Sequence, residues 1–177
     1  RADGQRNQHP RTCGRCCLGN RPTLLVVSTR FLFPIDTGGK IRTTQILRGM
    51  KESGEFNILL TSPATRSEAR QNVAELDLLC DEFEPWPAPY RSVLFPLTRM
   101  RFIFDQRPIP VRTDFNTGAV KLIGQLLARA DLVVFDFLHS AVLAPSNLEI
   151  PSVLFTHNVE AEIFSRHIDA AKNPLFK

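Results

Sequence analysis

The segment Thr23-Leu24-Leu25-Val26-Val27-Ser28 holds four consecutive apolar residues with no polar alternation. A strand with one solvated face alternates apolar and polar side chains. An unbroken run therefore belongs in the middle of a parallel sheet that is covered on both faces. Two later segments repeat the pattern: Leu132-Val133-Val134-Phe135 within residues 131–136, and Ser152-Val153-Leu154-Phe155 after Pro151. Residues 56–61 read as a further strand, and residues 80–86 as a short one leading into Pro85-Trp86-Pro87-Ala88-Pro89.

Helical spacing fills the gaps. Residues 40–51 place Ile41, Ile46, Leu47 and Met50 near one face, with Gly54 as the stop. Residues 67–79 do the same with Val73, Leu76 and Leu79, and residues 114–129 with Val120, Ile123, Leu126 and Leu127. A short loop-helix is predicted over 138–144, and a last helix from Val159 to about Ala170. This order predicts an α/β fold: an open, mostly parallel sheet with helices on both faces and right-handed crossovers. Ligands in such sheets bind beyond the carboxyl ends of the strands, where the strand order reverses. The informative loops are thus those after residues 28, 61, 136 and 156.

Charge separates the chain into two parts. Residues 1–21 carry five arginines and one acid, Asp3, which leaves 17 basic and 17 acidic residues for the remainder. The net +4 belongs to the leader, so the neutral body offers no basic stripe for nucleic acid. Residues 1–21 are read as a basic, disordered leader and residues 22–177 as one domain with a substantial core. The leader lacks the apolar core of a secretory signal, and no apolar run approaches the ~18 residues of a membrane span. A cytoplasmic protein is expected. Residues 91–104 are apolar and basic together (Val93, Leu94, Phe95, Phe102 with Arg91, Arg99 and Arg101). They fit a surface helix, or one touching an acceptor or the inner face of a membrane. Cys13, Cys16 and Cys17 with His9 lack standard metal-ligand spacing and are read as incidental, with no metal assigned. Cys80 alone in the body fits a reducing compartment. The first methionine, Met50, falls inside a predicted helix, so the chain is expected to be a fragment with a missing C-terminal domain.

Three loops hold the candidate residues. In the first, Gly38-Gly39-Lys40-Ile41-Arg42 opens a helix, where backbone amides attract anions and Lys40 and Arg42 add charge. The alternative is that the glycines ease a tight turn. Neither a Walker A loop nor the G-x-G-x-x-G turn is present. In the second, Asp136 and His139 lie at the end of a strand as a polar rim for substrate or as ordinary loop polarity. Ser140 is nearby, but no G-x-S-x-G elbow supports a hydrolytic triad. In the third, Thr156-His157-Asn158-Val159-Glu160 joins the last strand to a helix. His157 is placed to face the crevice, with a core histidine as the alternative, and Glu160 to cap the helix.

Taken in order, the glycine pair with Lys40 and Arg42, the Asp131-Leu132-Val133-Val134 strand and the Thr156-His157-Asn158-Val159-Glu160 segment resemble the N-terminal half of a GT-B glycosyltransferase of family 4. The nearest in appearance are the sugar transferases of exopolysaccharide-type gene clusters. The resemblance covers residues 22–177. It implies a Rossmann-like acceptor-side domain of a retaining enzyme with no dedicated metal or cofactor, the nucleotide-sugar being a co-substrate and the acceptor a glycan or lipid-linked molecule. It further implies that Gly38 and Gly39 approach the donor pyrophosphate or the transferred sugar, that Lys40 and Arg42 favour phosphate, and that His157 stands beside the reacting sugar. Asp136, His139, Asn158 and Glu160 complete the expected substrate contacts. The donor-binding half, with its E-x7-E-type motif, would lie in the missing domain, so residues 1–177 alone are expected to fold poorly or incompletely and to transfer no sugar. The rival reading is a non-catalytic, flavodoxin-like ligand-binding module. A response regulator is disfavoured because Ser28-Thr29-Arg30 lacks an acidic cluster, and an NAD enzyme by the missing glycine fingerprint.

Overall fold

The computed structural model describes residues 21–87 and 115–156, together with residues 162, 165 and 166. Five strands form one sheet: β1 (Thr23–Ser28), β2 (Asn57–Pro63), β3 (Glu82–Trp86), β4 (Leu132–Asp136) and β5 (Ser152–Phe155). Their order is β3-β2-β1-β4-β5, and every pairing is parallel. This is the Rossmann-like open α/β sheet expected of the strand and helix pattern. The unbroken apolar run takes the central place. β1 pairs Leu25 with Leu59 on one side and with Val133 on the other.

Successive side chains of β1 enter opposite layers, as the period of two requires. Leu24 and Val26 pack with Ile58, Leu60, Leu47, Leu76 and Leu79. Leu25 and Val27 pack with Leu59, Val133, Phe135, Ala119, Ile123 and Leu126. The first layer is built by α1 (Gly38–Ser53) and α3 (Val73–Asp77), while α2 (Arg66–Gln71) between them buries no side chain; the second is built by α4 (Thr117–Leu127) and a 3-10 helix at Leu138–Leu143. Helices thus cover both faces. Burying each such Leu or Val side chain is worth about 1.5–3 kcal/mol, so the two layers clamp β1 from both sides.

Local signals set the helix ends. Gly54 closes α1 at φ 67°, with its amide donating to the Lys51 carbonyl. Positive φ costs glycine little and other residues more. Thr65 and Glu68 form a reciprocal capping box at α2, and the Thr65 amide on Glu68 holds that carboxyl below its usual range. The single helix predicted over 67–79 is instead two. The break falls at Asn72, whose Nδ2 donates to the Glu68 carbonyl at 2.8 Å and which lies at φ −113°. A short amide side chain that competes for a helix carbonyl favours a break. β3 accepts Pro85 because it is an edge strand, where a missing ladder donor costs little.

Asp81 ties α1 to the sheet. It accepts from the Ile58 amide at 2.8 Å and from Lys51 Nζ, which also donates to the Cys80 carbonyl. Partial burial pushes the Asp81 pKa up, but the hydrogen bonds from Lys51 and Ile58 outweigh this and leave it below the ordinary 3.8. A depressed folded pKa adds stability that is complete above the unfolded value and is lost as pH falls through the folded one. Asp81→Asn is therefore expected to lower the melting midpoint at neutral pH. It should also flatten the loss of stability below about pH 4. Thermal melts of both proteins between about pH 2 and 7 check this; equal slopes for both would refute it. Nearby, burial pushes the Cys80 thiol up to about 12, and its Sγ donates to the Leu76 carbonyl, so it packs rather than reacts.

Candidate functional site

β1 and β4 are adjacent in the sheet but not in sequence, so the strand order reverses between them. A crevice opens at their carboxyl ends for that reason. It has a volume of about 390 Å³ and is lined by Ser28 at the end of β1 with Thr29, Arg30 and Leu32 after it, by Thr37 before α1 and Gly38 to Lys40, Arg42 and Thr43 at its start, and by Asp136 at the end of β4 with Phe137 after it. Two of the three loops that hold candidate residues converge here.

The floor is polar and buried. Ser28 lies opposite Asp136 in the register, and both sit on the α1 side of the sheet. Asp136 is only 6% exposed; Thr43 Oγ1 donates to its two carboxylate oxygens at 3.0 and 3.2 Å. Thr43 is four residues after Gly39, one helical turn deeper, which lets α1 reach down to the end of β4. On the same face of the neighbouring strand, Ser62 Oγ is buried with no hydrogen-bond partner among the described residues. An acidic group held this way is a fixed acceptor for a ligand hydroxyl.

One wall is the N-terminus of α1. Thr37 is extended at φ −129° and provides no side-chain cap, and the first turn holds no acid. The first amides of a helix carry partial positive charge and attract anions. Neither Gly38 nor Gly39 has a positive φ, and a Cβ on either would meet nothing within 4 Å. Internal packing and turn geometry therefore do not call for glycine here, which removes the support for the tight-turn reading. What the glycines do leave is open space against the helix start. Gly39→Ala is accordingly expected to raise stability by about 0.5–1 kcal/mol, the helix-propensity difference, while weakening ligand binding. Urea denaturation and calorimetric titration check the two opposite signs; a less stable Gly39→Ala protein would contradict the open geometry.

Arg30 and Arg42 add cationic side chains to the rim, both exposed. Lys40 also lines the crevice, but its ammonium donates to the Pro34 carbonyl at 2.9 Å and pairs with Asp36 at 2.9 Å. The Lys40 hydrogen bond holds the Asp36 carboxyl below its ordinary value. Its position favours closing the loop over meeting a phosphate. That loop also contains a cis peptide bond between Phe33 and Pro34.

The loop after β4 is fixed from several directions. Phe137 adopts φ 78° and ψ 151°, a region that glycine tolerates and other residues enter only under constraint. Its amide donates to the Phe155 carbonyl at 2.9 Å, and its own carbonyl accepts from Ser140 N and from Ser140 Oγ. Ser140 is thus fully buried and structural, and Asp136 is engaged by Thr43, so no triad assembles. The His139 ring stands edge-on to Phe137 at 5.0 Å and is not among the residues lining the crevice. The structure therefore brings together Gly38, Gly39, Lys40, Arg42 and Asp136, with His139 against Phe137 but outside the lining. His157, Asn158 and Glu160 lie outside the described residues, as do residues 91–104 and the cysteines of the leader.

Arg30, Thr37 and Thr43 were not singled out from sequence as site residues. The signal for Arg30 is its place two residues past the central strand, and for Thr43 its helical spacing from Gly39. Among the described residues, no helix is long and apolar enough to cross a membrane. Compared with known proteins, the chain matches no family model, no curated protein and no solved structure.

Proposed function

We propose that residues 22–177 are the acceptor-side half of a retaining glycosyltransferase that moves a sugar from a nucleotide-sugar to a glycan or lipid-linked acceptor. The observation that carries this reading is the crevice at the carboxyl ends of β1 and β4. There an open helix N-terminus with two glycines faces a buried carboxylate. A ligand that suits both must offer an anion to the amides and hydroxyls to Asp136, and a sugar phosphate does so in one molecule. The ordered motifs of the sequence narrow that class to a sugar nucleotide.

In the proposed reaction, the bond between the anomeric carbon and the diphosphate breaks and a bond to an acceptor hydroxyl forms. The hydroxyl proton and the nucleoside diphosphate are released. Charge grows on the leaving diphosphate, and preorganised amides of Gly38 and Gly39 with the guanidinium of Arg42 would stabilise it. Asp136 would orient a sugar hydroxyl, and His157 would stand beside the reacting centre, as the resemblance implies. A following domain would supply most of the donor contacts, and residues 91–104 the side facing the acceptor or a peripheral membrane surface.

Calorimetric titration of the chain with a panel of nucleoside diphosphate sugars, the matching nucleoside diphosphates, free sugars, a flavin mononucleotide and a nicotinamide dinucleotide tests this. At least one nucleotide-sugar should bind more tightly than either its nucleotide or its sugar. Binding of the flavin alone would favour the non-catalytic module instead. In a sensitive transfer assay residues 1–177 should show no turnover with any donor of the panel.

A further inference from the structure

Among the described residues, Phe137 alone combines a side chain with a positive φ. Glycine would make the same turn without strain, so the turn accounts for the dihedral angle and not for the ring. Core packing does not account for the ring either. Val133 and Phe135 belong to the α4 layer, and the alternation of β4 would send residue 137 to that same face. Phe137 is instead absent from both core layers of the described residues and lines the crevice beside Asp136. Its backbone is held there at both ends. The amide donates to the Phe155 carbonyl at 2.9 Å, and the carbonyl accepts from the amide of the fully buried Ser140 at 3.1 Å and from its hydroxyl at 2.7 Å.

We infer that Phe137 is a specificity-determining residue of the crevice, offering its ring to the apolar face of the ligand's sugar. The inference rests on the sugar-nucleotide reading above and names the residue that recognises the sugar. A pyranose carries hydroxyls around its edge and a patch of C–H bonds on its face. Recognising one takes a hydrogen-bond acceptor for the edge and an aromatic plane for the face. Asp136 and Phe137 are consecutive, and both line the one crevice. His139 stands edge-on to Phe137, with ring centroids 5.0 Å apart and planes at 63°, a contact that restrains the ring. A restrained ring loses little conformational freedom on binding. Gly38 and Gly39 form another wall of the same crevice, so sugar and diphosphate fall to different groups.

Calorimetric titration of the full chain, Phe137→Gly, Phe137→Leu and Phe137→Tyr tests this, each with the nucleoside diphosphate sugars and with the matching nucleoside diphosphates. Phe137→Gly removes ring and strain together, and Phe137→Leu keeps the strain and the apolar bulk without the ring. Both are expected to weaken nucleotide-sugar binding about tenfold, while affinity for the nucleoside diphosphate changes by about twofold at most. Phe137→Tyr keeps the aromatic plane and should bind the nucleotide-sugar as the unaltered chain does. In thermal melts Phe137→Gly should unfold no earlier than the unaltered chain, since relief of strain offsets the lost contact with His139. A lower melting midpoint for Phe137→Gly would make the ring a packing residue and overturn the inference. Equal weakening of nucleotide-sugar and nucleotide would overturn it too, because the loop as a whole would then have moved. If the unaltered chain binds no nucleotide-sugar, the reading beneath the inference fails and the inference falls with it. If it binds one and Phe137→Gly and Phe137→Leu bind it equally well, the inference fails alone.

Discussion

Asp136→Asn is expected to weaken binding of the sugar-nucleotide ligand about 10- to 100-fold while leaving the protein folded. The amide keeps one carbonyl oxygen to accept from Thr43, so the buried contact between α1 and β4 survives. What disappears is the negative charge. A hydrogen bond to a charged group contributes about 1.5–3 kcal/mol, and each 1.4 kcal/mol is a factor of ten. The melting midpoint should move little. Asp136→Ala would confuse the two effects, because it would strand the buried Thr43 hydroxyl as well. Titration and thermal melts on Asp136→Asn therefore separate recognition from stability. Unchanged affinity would mean that Asp136 is a purely structural partner of Thr43.

Leu25→Ala should produce the largest loss of stability, about 3 kcal/mol. Leu25 is fully buried at the centre of the central strand and packs into the layer that α4 covers. Both of its neighbours in the sheet, Leu59 and Val133, are buried as well. Hydrogen-bonded strands on each side hold the backbone in place, so the cavity cannot collapse easily. Against a domain stability of about 5–15 kcal/mol, the loss is large. Urea denaturation measures it directly, and a shift below about 1 kcal/mol would contradict a rigid core at this position. The exposed Val153→Ala is the matched control and should cost far less.

The sheet was legible because burial leaves a plain mark on sequence. Leu24 to Val27 and Leu132 to Phe135 are unbroken apolar runs, and those strands lie side by side; β1 is buried from both faces, while β4 buries Val133 and Phe135 and leaves Leu132 and Val134 half-buried. α1 was legible from Gly54, whose left-handed conformation is the reason for glycine at that stop. The split between α2 and α3 was harder to read, since apolar spacing continues across Asn72 and only its side-chain hydrogen bond explains the break.

The site was partly legible for a related reason. Gly38 and Gly39 stand out as residue types, and their place follows from the strand before them. The engagement of Lys40 with Asp36 depends on how the loop closes, though the i, i+4 spacing of the two was visible. Thr43 reads as an ordinary helix residue until α1 is laid over the end of β4. Phe137 has no sequence signature at all, because its amide is held by Phe155 from the neighbouring strand, with Ser140 three residues on holding its carbonyl.

The central claim is that the ligand sits at the reversal of strand order, between the start of α1 and the end of β4. Backbone amide shifts of the isotope-labelled chain, followed while a nucleoside diphosphate sugar is added, test it most directly. The largest shifts are predicted at Gly38 and Gly39, with Arg30 and Phe137 next. Shifts confined to the amino ends of the strands, around Thr23 and Leu132, or none for any donor at millimolar concentration, would contradict it.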